Sequence, residues 1–476
     1  MTKSTFLLAL VASASAWSQE LRVTGGAVDD QVFQRSATGS ADISISGSAD
    51  AADGKSVEAR VTRKHQPLSD WTPIAPVSAK RWSGAIKSVP AGGPYRIELR
   101  VAGGSSMSSI NNVLVGDLWV LAGQSNMQGV GDLIDVEMPH ELVHNFDMAD
   151  KWMVAEEPLH TLGTATDRVH WPLNAQKQPE KLEGARLAKF NAERKKGASL
   201  GLPYAVEMVR RNGIPIGLLS CAHGGTSMDQ WDPDLKSKGG DSLYGSMLRR
   251  VQAAGGKVKG VLWYQGESDA NPKAAPVFQQ KFERLVAAIR SDFGQPEIPF
   301  YYVQIGRHLS DSNAPEWNLV QDAQLKAESN IPNSGMIAAV DTSLDDGIHV
   351  GTQDHKRLGK RLANLATGQT KRGPRPVRAQ FADGVVRVVF SEVNGSLRSQ
   401  GRIGGFSIHS AAGAALPVIY KARVDPNDRS AVLLSIVGKL PEGAVLHYGA
   451  GKDPYCNLRD DADMAAPVFG PMTIAR

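Results

Sequence analysis

With 476 residues, 42% of them hydrophobic, the chain has apolar material for two or three domains. Its 53 Lys and Arg stand against 49 Asp and Glu, a formal net charge of +4; that balance argues against nucleic acid and against a strongly charged partner. Only two cysteines occur, Cys221 and Cys456, too few for a disulfide framework.

Lys3 and the short apolar run Phe6–Ala12 precede a small-x-small site at Ala14–Ala16. This grammar predicts a secretory signal over 1–19, too short to span a bilayer, and an exported protein, secreted or periplasmic. No later apolar run reaches membrane length. Residues 20–112 then show short alternating runs at Asp42–Ser46, Val57–Val61 and Tyr95–Val101, parted by Gly, Ser, Asp and Pro. A period of two predicts half-buried antiparallel strands, and so a β-sandwich domain.

Over 113–369 the grammar changes to alternating strand and helix. Strands are predicted at 114–121, 214–222, 258–265, 298–305 and 335–341. Helices are predicted at 202–211, 242–254, 277–292 and 316–329; Phe278, Phe282, Leu285, Val286 and Ile289 keep the helical interval. The run Leu118–Leu121 is apolar on both faces, as in a strand buried inside a parallel sheet. The expected fold is α/β, a doubly wound parallel sheet. Residues 132–198 interrupt it with a long polar insertion, expected to line the substrate side. After a Pro/Gly/Arg-rich connector at 370–378, Val385–Phe390, Gly405–His409 and Ala431–Ile436 restore the β pattern, so 370–476 reads as a second sandwich. Cys221 ends a predicted strand and reads as a small buried hydrophobe, with pairing to Cys456 left open.

Three polar clusters stand at the ends of predicted strands: Gly123–Met127, Gln265–Asp269 and Asp345–His349. In a doubly wound sheet those ends share the edge where ligands bind. Ser125 is a candidate nucleophile, its N–H at the start of a predicted helix. A serine hydroxyl needs a base. His349 offers an imidazole, and Asp346, three residues earlier, can bond its other nitrogen; Asp345 is the alternative orienter. Backbone N–H groups of Ser125, Gly224 and Gly225 are candidates for an oxyanion hole.

A rival site is His140-Glu141-x-x-His144, which fits a zinc-hydrolase pattern if those residues are helical. Pro139 just before it and Asn145 and Asp147 just after leave little room for a helix, and a third ligand is not evident, Glu156, Glu157 and His160 being the nearest candidates. A non-catalytic carbohydrate-binding protein is the other alternative.

Taken together, Gly123–Met127, His223–Trp231, Trp263–Asp269 and Asp346–His349 resemble the ordered blocks of SGNH-type esterases. The likeness is nearest to the acetylxylan esterase and sialate O-acetylesterase group and covers roughly 113–366. Val32–Arg35 and Tyr448–Leu458 also resemble sialate O-acetylesterases. The resemblance implies a serine esterase that removes acetyl groups from a carbohydrate, an oligo- or polysaccharide or a sialic acid, without metal or organic cofactor. It implies an asparagine donor in the third block, where this chain has Ser268; Gln265 is the competing donor. Gln124, Asn126, Glu267, His223 and Trp231 are candidate substrate contacts, with Glu267 also suited to tying loops together. Trp152 and Trp171 are further candidates for stacking on a sugar face.

Overall fold

The computed structural model describes residues 21–50, 52–310 and 315–476, so the predicted signal over 1–19 lies outside the described residues. The chain folds as two units. Of the described residues, one comprises 21–29 with Ser40–Pro90 and Pro94–Val113; the other comprises Asp30–Gly39, Ala91–Gly93 and Leu114–Arg476.

In the first unit the alternating runs become antiparallel strands. Ser40–Ala49 pairs with Leu21–Gly25 and Arg81–Pro90, while Ser56–Arg63 pairs with Thr72–Pro76 and with residues 96–101. The period of two turns Ile43, Ile45, Val57, Ile97 and Leu99 inward. Gly84 marks where the two sheets touch, since a Cβ there would stand 2.3 Å from the Ile74 carbonyl oxygen.

The second unit is built on a sheet whose main path has seven strands: β1 (Met107–Gly123, part of this unit from Leu114 on), β2 (Val143–Phe146), β3 (Trp152–Val154), β4 (Ile216–Ser220), β5 (Gly260–Tyr264), β6 (Phe300–Gln304) and β7 (Ser334–Ala338), with Val32–Gln34 also paired parallel to β1. The order is β3-β2-β4-β1-β5-β6-β7, and every pairing is parallel except that of the edge strand β3. The helices are α1 (Ser125–Gln128), α2 (Gly184–Glu193), α3 (Gly201–Asn212), α4 (Leu243–Ala253), α5 (Phe278–Asp292), α6 (Glu316–Asn330) and α7 (Thr352–Thr367).

Both faces of the sheet are covered, which is why its strands can be apolar throughout. On one face Trp119 meets Tyr204 of α3 edge-on and stacks on Tyr301 of β6, at centroid distances of 5.3 and 5.9 Å. On the other, Trp263, Phe300 and Tyr302 pack around Phe282 of α5, and the Tyr302 hydroxyl donates to the Gln324 carbonyl of α6. β4 and β5 flank β1 on opposite sides, so the winding reverses at β1. A crevice therefore opens beyond its carboxyl end.

The sequence predicted five of these strands. β2 and β3 come from the 132–198 insertion and escape periodicity because they have four and three residues. β2 also carries His144 and Asn145 fully inside. His144 Nδ1 meets the Asp30 carbonyl at 2.5 Å while its Nε2 has no partner among the described residues; Asn145 Nδ2 donates to the Leu159 carbonyl at 3.0 Å and its Oδ1 accepts from Ser220 Oγ at 2.9 Å.

The C-terminal β pattern forms an eight-stranded sheet over its own core, including Val386, Val388, Val432, Leu434, Leu446 and Tyr448. It is joined to the parallel sheet by buried hydrogen bonds. Gln304 at the end of β6 exchanges two with Val468, at 2.8 and 3.0 Å. The connector is solvated at Lys371 and Arg372, but Arg375 turns inward to hold Glu328 of α6 through two bonds of 2.6 and 2.9 Å. Cys221 and Cys456 are both free and buried, each in a different core cluster. Among the described residues no helix is long and apolar enough to cross a membrane.

Candidate active site

β1 ends against its neighbours by close backbone contact. Gly123 has φ 132°, and a Cβ there would lie 2.2 Å from the Tyr264 carbonyl oxygen, so only glycine fits. The Gln124 N–H donates to that carbonyl at 2.8 Å, and the His223 N–H donates to the Gly123 carbonyl at 3.0 Å. The turn bearing Ser125 is thus fixed between the loops after β4 and β5. The predicted helix after it is a single turn, ended by Gly129 at φ 96°. The half-buried Ser125 therefore has local N–H groups beside it rather than a long helix dipole. Gly224 borders it, since a Cβ there would stand 3.4 Å from Ser125 Cβ.

The Asp346 carboxylate clasps His349 Nδ1 at 2.8 and 3.0 Å and accepts the His349 and Ile348 N–H groups at 2.9 and 3.0 Å. It also receives Lys196 Nζ at 2.7 Å. Burial alone would raise this carboxyl; the bonds from Lys196, Ile348 and His349 outweigh it and hold the group well below the usual carboxylate range. Lys196 belongs to the insertion and carried no sequence signal. Asp345 is committed elsewhere, accepting from Asp132 N–H at 2.8 Å and Thr352 N–H at 3.1 Å. Neither Ser125 Oγ nor His349 Nε2 has a hydrogen-bond partner among the described residues, as is common in unliganded hydrolases.

Asn126 links the loops. Its amide donates to Glu267 at 2.8 Å, and its oxygen accepts the Val350 N–H at 3.0 Å, immediately after His349. Gln124 Oε1 receives the N–H groups of Gly266 and Ser268 at 3.4 and 3.3 Å. Both side chains are buried, so as candidate substrate contacts Gln124 and Asn126 are corrected to loop ties. Glu267 shares that role; burial pushes its carboxyl up to about 7 against the bond from Asn126.

Two oxyanion-hole candidates are also spent. Gln265 is fully buried and donates to the Thr226 carbonyl at 3.1 Å and to Asp269 at 2.5 Å. Its two amide hydrogens are thereby used. The Gly224 N–H is taken by Gln128 Oε1 at 2.8 Å. Ser125 and Gly225 N–H and the Ser268 hydroxyl have no partner among the described residues.

The His140–His144 pattern does not form a helix. His140 accepts the Leu142 N–H in a turn, and His144 lies in β2. The one-face spacing a zinc pair needs is therefore lost, and no cluster of three ligating side chains occurs among the described residues. Trp231 is fully buried, edge-on to Trp263 at 5.2 Å, which corrects it from a sugar contact to core. Trp152 packs against Phe146 in the same core. Half-buried His223 lies beside the insertion's His170, their Nδ1 atoms 3.2 Å apart.

The profile of the carbohydrate esterases described as sialic acid-specific acetylesterases matches residues 115–367. The chain belongs to this family. It is therefore a carbohydrate O-acetylesterase, a carboxylic ester hydrolase. Among relatives of this esterase, a probable carbohydrate esterase of Arabidopsis thaliana is 28% identical over 269 residues, 52% of this chain and 88% of the relative. The sialate O-acetylesterase of Homo sapiens is 25% identical over 296 residues, 55% of this chain but only 54% of that protein, so the match spans about half of it. The crystal structure of a carbohydrate acetylesterase from Xanthomonas citri aligns with a TM-score of 0.64 at 21% identity, covering 94% of this chain and 99% of that one. At that identity the likeness is one of fold.

Proposed function

We propose that this esterase works by a Ser-His-Asp acyl-enzyme mechanism of the SGNH type. The observation that carries the reading is the Asp346 clasp on His349 Nδ1, beside a serine turn held at the sheet's switch point. Ser125 Oγ attacks the acetyl carbonyl while His349 Nε2 takes its proton, and Asp346 stabilises the resulting imidazolium. The oxyanion is met by the N–H groups of Ser125 and Gly225, with the Ser268 hydroxyl as the side-chain donor. Collapse of the tetrahedral intermediate returns the proton to the departing sugar oxygen. Water, activated by His349, then releases acetate from Ser125. Export by the predicted signal would bring the enzyme to glycans outside the cytoplasm, either O-acetylated sialic acid or an acetylated polysaccharide.

The test is acetate release from an aryl acetate and from acetylated glycans. Ser125→Ala and His349→Ala are each expected to lower kcat by a factor on the order of 10³ or more, with chelator changing nothing. Activity that survives Ser125→Ala would sink the mechanism.

A further inference from the structure

A row of polar side chains runs from the insertion to the loop beside Ser125, and it dictates where one proton sits. Arg249 holds the Asp167 carboxylate at 2.8 to 3.0 Å. Ser246 Oγ donates to the same carboxylate at 2.6 Å. An ionised carboxylate only accepts, so the hydroxyl's single hydrogen is spent there. Ser246 Oγ must then accept from His170 Nε2, 3.2 Å away. Burial first, then the nearby His223 and Arg250, holds His170 well below the ordinary imidazole range, so the ring is neutral. With its proton on Nε2, His170 Nδ1 is an acceptor. Its partner is His223 Nδ1 at 3.2 Å, which therefore donates. These tautomers are assigned from the hydrogen-bond network. They leave His223 Nε2 as a bare lone pair with no partner among the described residues.

His223 also lines a cavity of about 380 Å³ with Thr226, Trp171, Pro172, Leu235 and Leu243. That volume suits a single substituted sugar ring. Trp171 is anchored by its indole N–H on the Ala165 carbonyl at 2.9 Å, so its ring is a fixed wall. The residue after His223 is Gly224, which borders Ser125. The loop that carries His223 on the cavity wall is therefore the loop that borders the nucleophile.

We propose that the cavity binds a pyranose ring of the acetylated substrate and that His223 Nε2 accepts a hydrogen bond from one of its hydroxyls. The inference rests on the serine-esterase mechanism for the chemistry, and it assigns His223 to specificity. Burial lowers His223 to about 4, so at neutral pH it is an acceptor without charge. It selects a hydroxyl donor and offers nothing to a carboxylate.

The experiment compares a singly O-acetylated methyl pyranoside with its monodeoxy analogues, using full-length wild type, His223→Ala and His223→Gln. In wild type, removing the one hydroxyl that His223 reads is expected to lower kcat/KM about 10- to 100-fold. In His223→Ala that penalty should shrink to within about 3-fold, because the acceptor is already gone. His223→Gln, whose Oε1 also accepts, should keep part of it. A purely structural His223 would lower all the pyranosides alike and leave the penalty intact, which would overturn the assignment. A wild type indifferent to every monodeoxy change, or inactive on the pyranosides while active on an aryl acetate, would overturn it as well. Failure of the serine mechanism would appear separately, as acetate release by Ser125→Ala.

Discussion

Lys196 extends the Asp346–His349 pair into a three-part arrangement, cation on carboxylate on imidazole. All of this lies near solvent, with Lys196 and Asp346 each 36% exposed at the side chain, so the contact adds little to stability. Its use is orientation: it fixes the carboxylate that fixes the ring. Lys196→Met should lower kcat about 3- to 30-fold with KM within about 2-fold, and Lys196→Arg should recover most of the loss. Steady-state kinetics on an aryl acetate decides this, and an unchanged kcat in Lys196→Met would remove Lys196 from the machinery. Asp346 itself contributes stability above its unfolded value near 4, which is lost as pH falls through its depressed folded value.

At the scale of elements, the insertion is an integral part of the fold. It adds β2 and β3 to the sheet, supplies Lys196 and His170, and contains Glu157. Glu157 is half-buried and accepts from the Ser199 N–H and hydroxyl and from the Leu159 N–H, at 2.8 to 3.1 Å. Burial outweighs these bonds and pushes its carboxyl from 4.5 up to about 7. A raised acid binds its proton more tightly when folded. Its contribution to stability is therefore complete below about pH 4.5 and lost as pH rises toward 7. The displacement corresponds to about 3 kcal/mol. Urea unfolding at pH 5 and pH 8 should show wild type losing stability over this range. Glu157→Gln, which cannot ionise, should reduce that loss by about 3 kcal/mol. Equal slopes in the two proteins would contradict the assignment. Glu267 acts in the same direction, so some slope should remain in the variant.

In the larger unit, the C-terminal sheet and the parallel sheet are held together by groups that neither could leave unpaired. Arg361 of α7 is 1% exposed. It donates to the Ala338 carbonyl at 2.9 Å, to Asp341 at 2.7 Å and to the Asp463 carbonyl at 2.6 Å. Arg361→Ala would leave the Asp341 carboxylate to Arg357 alone, at 2.9 Å, and remove the bonds to the Ala338 and Asp463 carbonyls, at a cost of about 1.5–3 kcal/mol. The midpoint of thermal unfolding should fall by several degrees, with both sheets melting together. A change below about 1 °C, or two separated transitions in which only one moves, would show that Arg361 does not join them.

Much of the site was legible in the chain because strand ends announce themselves. Apolar runs stop abruptly at Gly123, Gln265 and Val340, and a doubly wound sheet brings its carboxyl ends to one edge. Asp346 and His349 are three residues apart, so their contact is local and readable. The family followed from the same blocks. What the sequence could not determine are the contacts made across long separations and the donors used up by packing. Lys196 meets Asp346 across 150 positions, and His170 meets His223 across 53. Strands of three or four residues with buried polar side chains have no periodicity to show. Gln265, Gly224, Gln124 and Trp231 looked available as residue types, yet a hydrogen bond or a core contact already occupies each of them. Availability is a property of the surroundings, and only the tertiary structure supplies those.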